Sequence, residues 1–312
     1  MKRTHSLGLL LALAVGLFAL GPAVSQAALI VDDDFSDVDR TKTGALDADW
    51  WSSSSTSGNS VEIDGTGLGL RSGTSGRGIH ATFAPQNLAV GEKIEVTYAF
   101  TTPATVGNNR STALKVALMD GTNAALADDL SSSSSTANPV YVALPGFMAD
   151  FDVNTGSAAD VSIREHNTVP PVPLDGVNGR FLGTTGEWTN LGSSPDAGYS
   201  FTANTDYVGV FSVLRTSVDE MVVFSSMSEA GGALLDEEAR IDSASDTNGQ
   251  GNNFGMFGVW VNSNTFGSTN SAGDPDNGIT LTNVVVRTFV PEPTTAVLLL
   301  VGLAVAPLRL RR

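Results

Sequence analysis

Residues able to do chemistry are sparse in this chain, and the carboxylates come first. Val61-Glu62-Ile63-Asp64 sets two acids two residues apart, and alternate side chains of a strand leave from one face. Two carboxyl groups about 5 Å apart are what retaining glycoside cleavage needs as nucleophile and acid. The chain continues Gly65-Thr66-Gly67-Leu68 with no further acid, so the partner group is missing and the segment reads as a strand edge entering a turn. Serine nucleophiles need a histidine base. Only His80 and His166 lie beyond the amino-terminal apolar run, and neither is accompanied by a Gly-x-Ser-x-Gly turn. His80 alternates with Ile79 and Ala81, and His166 sits in Arg164-Glu165-His166-Asn167, so neither is expected to be catalytic. With no cysteine in the sequence, disulfides, thiol nucleophiles and thiolate metal sites are excluded.

Two patterns suit binding instead. Asp32, Asp33, Asp34, Asp37 and Asp39 near the start, and Asp274 with Asp276 near the end, supply hard oxygen donors of the kind calcium takes. They would meet if the first and last strands pair. The competing expectation is a solvated acidic surface, and no other cofactor is expected. Sugar binding needs an aromatic face beside polar groups. Of four tryptophans, Trp51 beside a serine loop and Trp188 in Gly186-Glu187-Trp188-Thr189-Asn190 are the loop candidates for glycan contact, whereas Trp260 lies inside a strand pattern and reads as core.

The elements that must position these groups are strands. Ile94, Val96, Tyr98 and Phe100 alternate with Glu95, Thr97 and Ala99, and Leu114, Val116 and Leu118 alternate with Lys115 and Ala117, which is the period of a half-buried strand. Further strands are expected at 68–71, 79–83, 140–144, 147–153, 161–164, 207–215, 220–226, 254–261 and 279–289. The nearest approach to a helix is Ala233 to Ile241. Asp120-Gly121, Asn178-Gly179 and Asn277-Gly278 mark turns. A dozen short strands so punctuated imply an all-β fold, a two-sheet antiparallel jelly-roll sandwich. The serine runs 52–55 and 131–135 and the stretch Thr168-Val169-Pro170-Pro171-Val172-Pro173 read as long loops on one domain, residues 28–289.

The ends read as addresses. Lys2 and Arg3, an apolar run from Leu7 to Leu20 and small residues to Ala27 have the three-part layout of a secretory signal peptide, residues 1–27. Residues 290–312 carry Pro291-Glu292-Pro293, an apolar run from Ala296 to Ala306, and Arg309, Arg311 and Arg312. Eleven or so apolar residues are short for a hydrocarbon core of about 30 Å. The terminal arginines would stay on the cytoplasmic side with the Pro-Glu-Pro segment at the outer face. This tail resembles the PEP-CTERM sorting signal. The resemblance implies recognition by exosortase, a membrane-embedded processing enzyme, transient membrane anchoring through this short segment, and delivery to the cell surface or exopolysaccharide matrix.

A second resemblance is carried by Asp32-Asp33-Asp34-Phe35-Ser36-Asp37, by a tryptophan soon after at Trp50 or Trp51, and by a last strand running into the tail. These look like the concanavalin A-like, laminin-G-like domains of many PEP-CTERM proteins, which implies a jelly roll that often binds glycans. The Glu62-x-Asp64 start resembles the catalytic strand of laminarinase-type enzymes and departs from it at the second glutamate. A formal charge of −16 repels phosphate, so nucleic acid is not an expected partner. The expectation is an exported, non-catalytic protein that binds extracellular polysaccharide. A ligand-free structural matrix protein and a polysaccharide-cleaving enzyme are the alternatives.

Overall fold

The computed structural model describes residues 26–53, 61–63, 65–70, 76–107, 114–130, 139–142, 144–153, 161–166, 182, 188–195, 199–243, 251–262, 265–267 and 278–290. Residues 29–288 form one compact unit. The signal segment up to residue 25, Asp64, the proline stretch and the sorting tail from Pro291 lie outside the described residues.

Fifteen strands lie among the described residues. Those of the first sheet are β1 (Gln26–Asp33), β3 (Val61–Ile63), β4 (Leu68–Leu70), β6 (Lys93–Thr101), β11 (Asp206–Ser217), β12 (Glu220–Glu229), β13 (Leu234–Ser243) and β15 (Ile279–Val290). Their order is β13-β12-β11-β6-β15-β4-β3, with β1 also pairing β15. The second sheet holds β2 (Asp49–Ser52), β5 (Arg77–Asn87), β7 (Leu114–Met119), β8 (Gly146–Phe151), β9 (Val161–His166), β10 (Trp188–Ser193) and β14 (Asn253–Val261), ordered β10-β9-β8-β7-β14-β5-β2. The chain crosses between sheets at β5 to β6 to β7 and again at β13 to β14 to β15. The result is the expected antiparallel jelly-roll sandwich.

The period-two reading holds where one face is wet. β6 and β12 alternate strictly between buried and half-buried positions. Their inward residues Ile94, Val96, Tyr98, Phe100, Met221, Val223 and Met227 meet Leu114, Val116, Leu118, Phe147, Phe257 and Val259 of the opposite sheet. At one end Phe100, Phe201 and Tyr207 form an aromatic knot with centroid separations of 4.7 to 6.1 Å, worth roughly 0.5–1.5 kcal/mol per pair beyond burial.

Two expectations are corrected. Ala233 to Ile241 is not helical: Leu234–Ser243 is edge strand β13, registered along β12 from Glu220↔Ser243 to Ser228↔Leu234. Ladder bonds to a formed neighbour outweigh a weak helical pattern. Residues 140–144 are not a strand, because Pro139–Val142 makes one helical turn, α1. Proline suits the first helical position.

Candidate functional site

Both faces of the central strands of the second sheet are covered, and this decides where chemistry can sit. All residues of β7 and of β8 are buried. Alternate ones enter the main core, while Ala117, Met119, Met148, Met256 and Trp260 build a second apolar cluster on the outer face. Leu126 from a 3₁₀ turn (Ala124–Leu126), Tyr141 from α1, Leu144, Leu182 and Trp188 roof that cluster. Three polar side chains rising from the sheet pin the roof by its backbone carbonyls: His80 Nε2 to Leu126 at 2.7 Å, His166 Nδ1 to Leu144 at 2.8 Å, and Lys115 Nζ to Leu182 at 2.8 Å. A carbonyl only accepts, so each ring nitrogen facing one carries a proton. His80 Nδ1 then accepts from Ser53 Oγ at 2.6 Å. Burial lowers the His80 pKa to about 4, against smaller raising effects from the Leu126 carbonyl and Asp129.

Cross-strand register lines up the remaining polar groups on the same face. Trp260, Lys115, Asp150, Ser162 and Ser193 form one row across β14, β7, β8, β9 and β10. Met148, Arg164 and Asn190 belong to the adjacent row. Lys115 Nζ lies 4.8 Å from the Trp260 ring centroid, a cation–π contact. Arg164 Nε approaches Asp150 Oδ2 at 3.4 Å, an ion pair too long to be a hydrogen bond. Both carboxylate oxygens of Asp150 are buried and, among the described residues, receive no hydrogen bond. Burial holds its carboxyl above the ordinary range, opposed by the charges of Lys115 and Arg164. Lys115 is 1% exposed and Asp150 4%, whereas Arg164, Ser162 and Ser193 are half-buried and Asn190 is exposed. The strip thus runs from β10, whose Ser193 carbonyl accepts from Arg240 of β13 at 2.7 Å, to the buried Asp150. Its half-buried and exposed members, Arg164, Ser162, Ser193 and Asn190, are the ones able to donate to or accept from a ligand.

The sequence candidates are distributed differently. Trp51 is in edge strand β2, paired with His80 and therefore on the outer face. Five strand spacings separate it from Arg164, about 24 Å. Trp188 does not stand in a loop: it opens β10, is 5% exposed and packs on His166 with ring centroids 4.7 Å apart, so its ring face is taken by protein. Trp260 is core, as expected. The first and last strands do pair, and Asn283 Nδ2 reaches Asp32 Oδ1 at 3.4 Å. The amino-terminal acids, however, turn onto their own backbone. Asp33, Asp34, Asp37 and Asp39 each accept the N–H two residues on, and Asp37 also takes the Thr43 hydroxyl. Buried Asp33 further accepts Trp50 Nε1 at 2.8 Å. Among the described residues no three acids or histidines gather as metal ligands. Asp274 and Asp276, and the Glu62 and Asp64 side chains, lie outside them. Lys115, Asp150 and Arg164 went unmarked as site residues in the sequence, although a lone charge inside the apolar strands β7 and β8 was the available signal for the first two.

No protein-family model matches the chain, and no curated protein does. Among solved structures it is similar to peanut lectin at 6% identity, covering 85% of this chain and 99% of the lectin with a TM-score of 0.47. It is also similar to an endo-1,3-beta-glucanase from Streptomyces sioyaensis at 15% identity, 85% and 97% coverage and a TM-score of 0.47. A third similarity is to basic winged bean lectin at 9% identity, 85% and 98% coverage and a TM-score of 0.44. At these scores the similarities carry no argument about ligand or chemistry for this chain.

Proposed function

We propose that this protein is exported and binds extracellular polysaccharide, without cleaving it, through the outer face of its seven-stranded sheet. The observation that carries the binding is the polar strip on that face, where half-buried Arg164, Ser162 and Ser193 and exposed Asn190 stand in register. Guanidinium, hydroxyl and amide groups side by side both donate to and accept from sugar hydroxyls. Trp51, half-buried on the far side of the same face, is a second contact for a long chain. A glycan array probed with the full chain tests the reading. Binding to at least one polysaccharide is expected, and none would leave the ligand-free matrix protein. Reducing-end release from β-glucans that a Glu62→Gln change abolishes would overturn the non-catalytic part.

The sorting part rests on the tail sequence. Proline is a poor helix former, so Pro291 and Pro293 would leave Glu292 open to exosortase, and Arg309, Arg311 and Arg312 would fix orientation. Placement at the cell surface or matrix, after transient membrane anchoring, follows from that order. In an exosortase-bearing host, mass spectrometry of the surface protein should show loss of the residues after the motif. Intact Arg312 would mean a plain anchor.

A further inference from the structure

We infer that two copies of this chain associate back to back through the outer face of the eight-stranded sheet, independently of any glycan. β11 is apolar on both sides. Tyr207, Phe211 and Val213 enter the core, and Val208, Val210 and Leu214 point outward. Register carries the outward set across the sheet, with Leu214, Val222 and Ile241 in one row and Phe224 in the next. None of these six outward side chains belongs to either apolar cluster. Five of them are half-buried, and Ile241 is 63% exposed. Among the described residues, the elements that pack closely on β11, β12 and β13 from outside their own sheet are β7, β9 and β10, all on the inner side. An antiparallel sheet with one wet face alternates apolar with polar side chains, whereas β11 has the pattern of a strand covered on both faces.

Charge and size both fit a second copy. A chain with a formal charge of −16 repels its own kind, but on this face the charges keep to the rim. On the β6 side Lys93 Nζ pairs with Glu95 at 2.7 Å. At the two strand ends Thr101 donates to Asp206 and Thr216 to Glu220, each at 2.6 Å. Glu237 stands outward on the β13 edge, and Arg287 stands outward on β15, between inward Val286 and Thr288. In the order β13-β12-β11-β6-β15 the middle strand is β11. A two-fold axis along it lays β13 of one copy over β15 of the other, so that each Glu237 lies on the side of the other copy's Arg287. Five strands at about 4.8 Å and seven residues at about 3.4 Å make a face of roughly 24 by 24 Å. Over two copies this is about 1,150 Å², above the roughly 1,000 Å² that a specific interface must clear. An apolar centre with its charges at the rim is the anatomy of such an interface. Packed this way, the two copies turn their seven-stranded sheets to opposite sides.

The test is sedimentation equilibrium of the full chain across the micromolar range, where a reversible monomer–dimer equilibrium is expected. Phe224→Ala removes the aromatic ring from the apolar centre and should weaken the dimer about tenfold or more. Ile241→Ser should weaken it several-fold. Ile241 belongs to neither apolar cluster, so its variant keeps the monomer fold and decides alone if Phe224→Ala fails to fold. Leu299→Lys, in the apolar run of the tail, should leave the dimer unchanged. A monomer at all concentrations, or a dimer that Ile241→Ser and a folded Phe224→Ala leave intact, would overturn the inference. Association that only Leu299→Lys abolishes would overturn it as well, and would assign self-association to the tail.

Discussion

Acidification should loosen the roofed side of the sandwich through His80, and the size of the effect follows from its surroundings. The ring is fully buried, donates to the Leu126 carbonyl and accepts from Ser53. A proton on Nδ1 would abolish that acceptor and bury a charge. Its pKa is lowered by burial from 6.5 to about 4 in the fold. A histidine whose folded value is depressed is neutral in both states above 6.5, so nothing is lost there. As pH falls below 6.5 the unfolded chain takes up the proton first, and stability declines until about pH 4. At 1.36 kcal/mol per pH unit the full loss is about 3 kcal/mol, and about 2 kcal/mol of it is gone by pH 5. The assay is urea unfolding at intervals from pH 7.5 to 5, on the wild type and on His80→Gln. The variant starts less stable, but its curve should lack this component, so the gap between the two should narrow by about 2 kcal/mol on acidification. Asp33 and Asp150, raised by burial, favour the fold as pH falls, and they cancel in the difference. Parallel curves would refute the reasoning, because they would mean that His80 takes up its proton equally in both states.

Three further outcomes follow from packing. Gly209→Ala would bring a methyl within 2.1 Å of Cζ of the buried Tyr98 ring, and should lower stability by roughly 1–3 kcal/mol or more in chemical denaturation. Trp188→Ala empties a site between His166 and the second apolar cluster and should cost roughly 3–5 kcal/mol in the same assay, beyond any effect on a surface ligand. Asp33→Ala removes the acceptor of Trp50 Nε1 and of the Phe35 and Ala48 amides, for a loss of roughly 1–3 kcal/mol per buried group left unpaired. Asp33→Asn retains one acceptor and should lower the melting temperature less.

Alternation within the sequence was enough to determine the strands with one wet face. Ile94 to Phe100 declares its inner side directly, because a side-chain period of two is a local property of the extended backbone. The punctuation by Asp120-Gly121 and its like, the absence of cysteine and the acidic balance were equally local, and together they bound the fold to a sandwich. The sequence could not decide what a second layer would cover. Lys115 looks like the solvated side of an amphipathic strand, and only the roof built from Leu126, Tyr141, Leu144 and Leu182 turns that side into an interior. Trp188 reads as a loop tryptophan until pairing with His166 places it in β10. Ala233 to Ile241 becomes a strand only because β12 lies beside it. The meeting of Lys115, Asp150 and Arg164 depends on the register of three strands separated in sequence. Register is set by the packing of whole sheet faces rather than by any local stretch, so the candidate site exists only at the tertiary level.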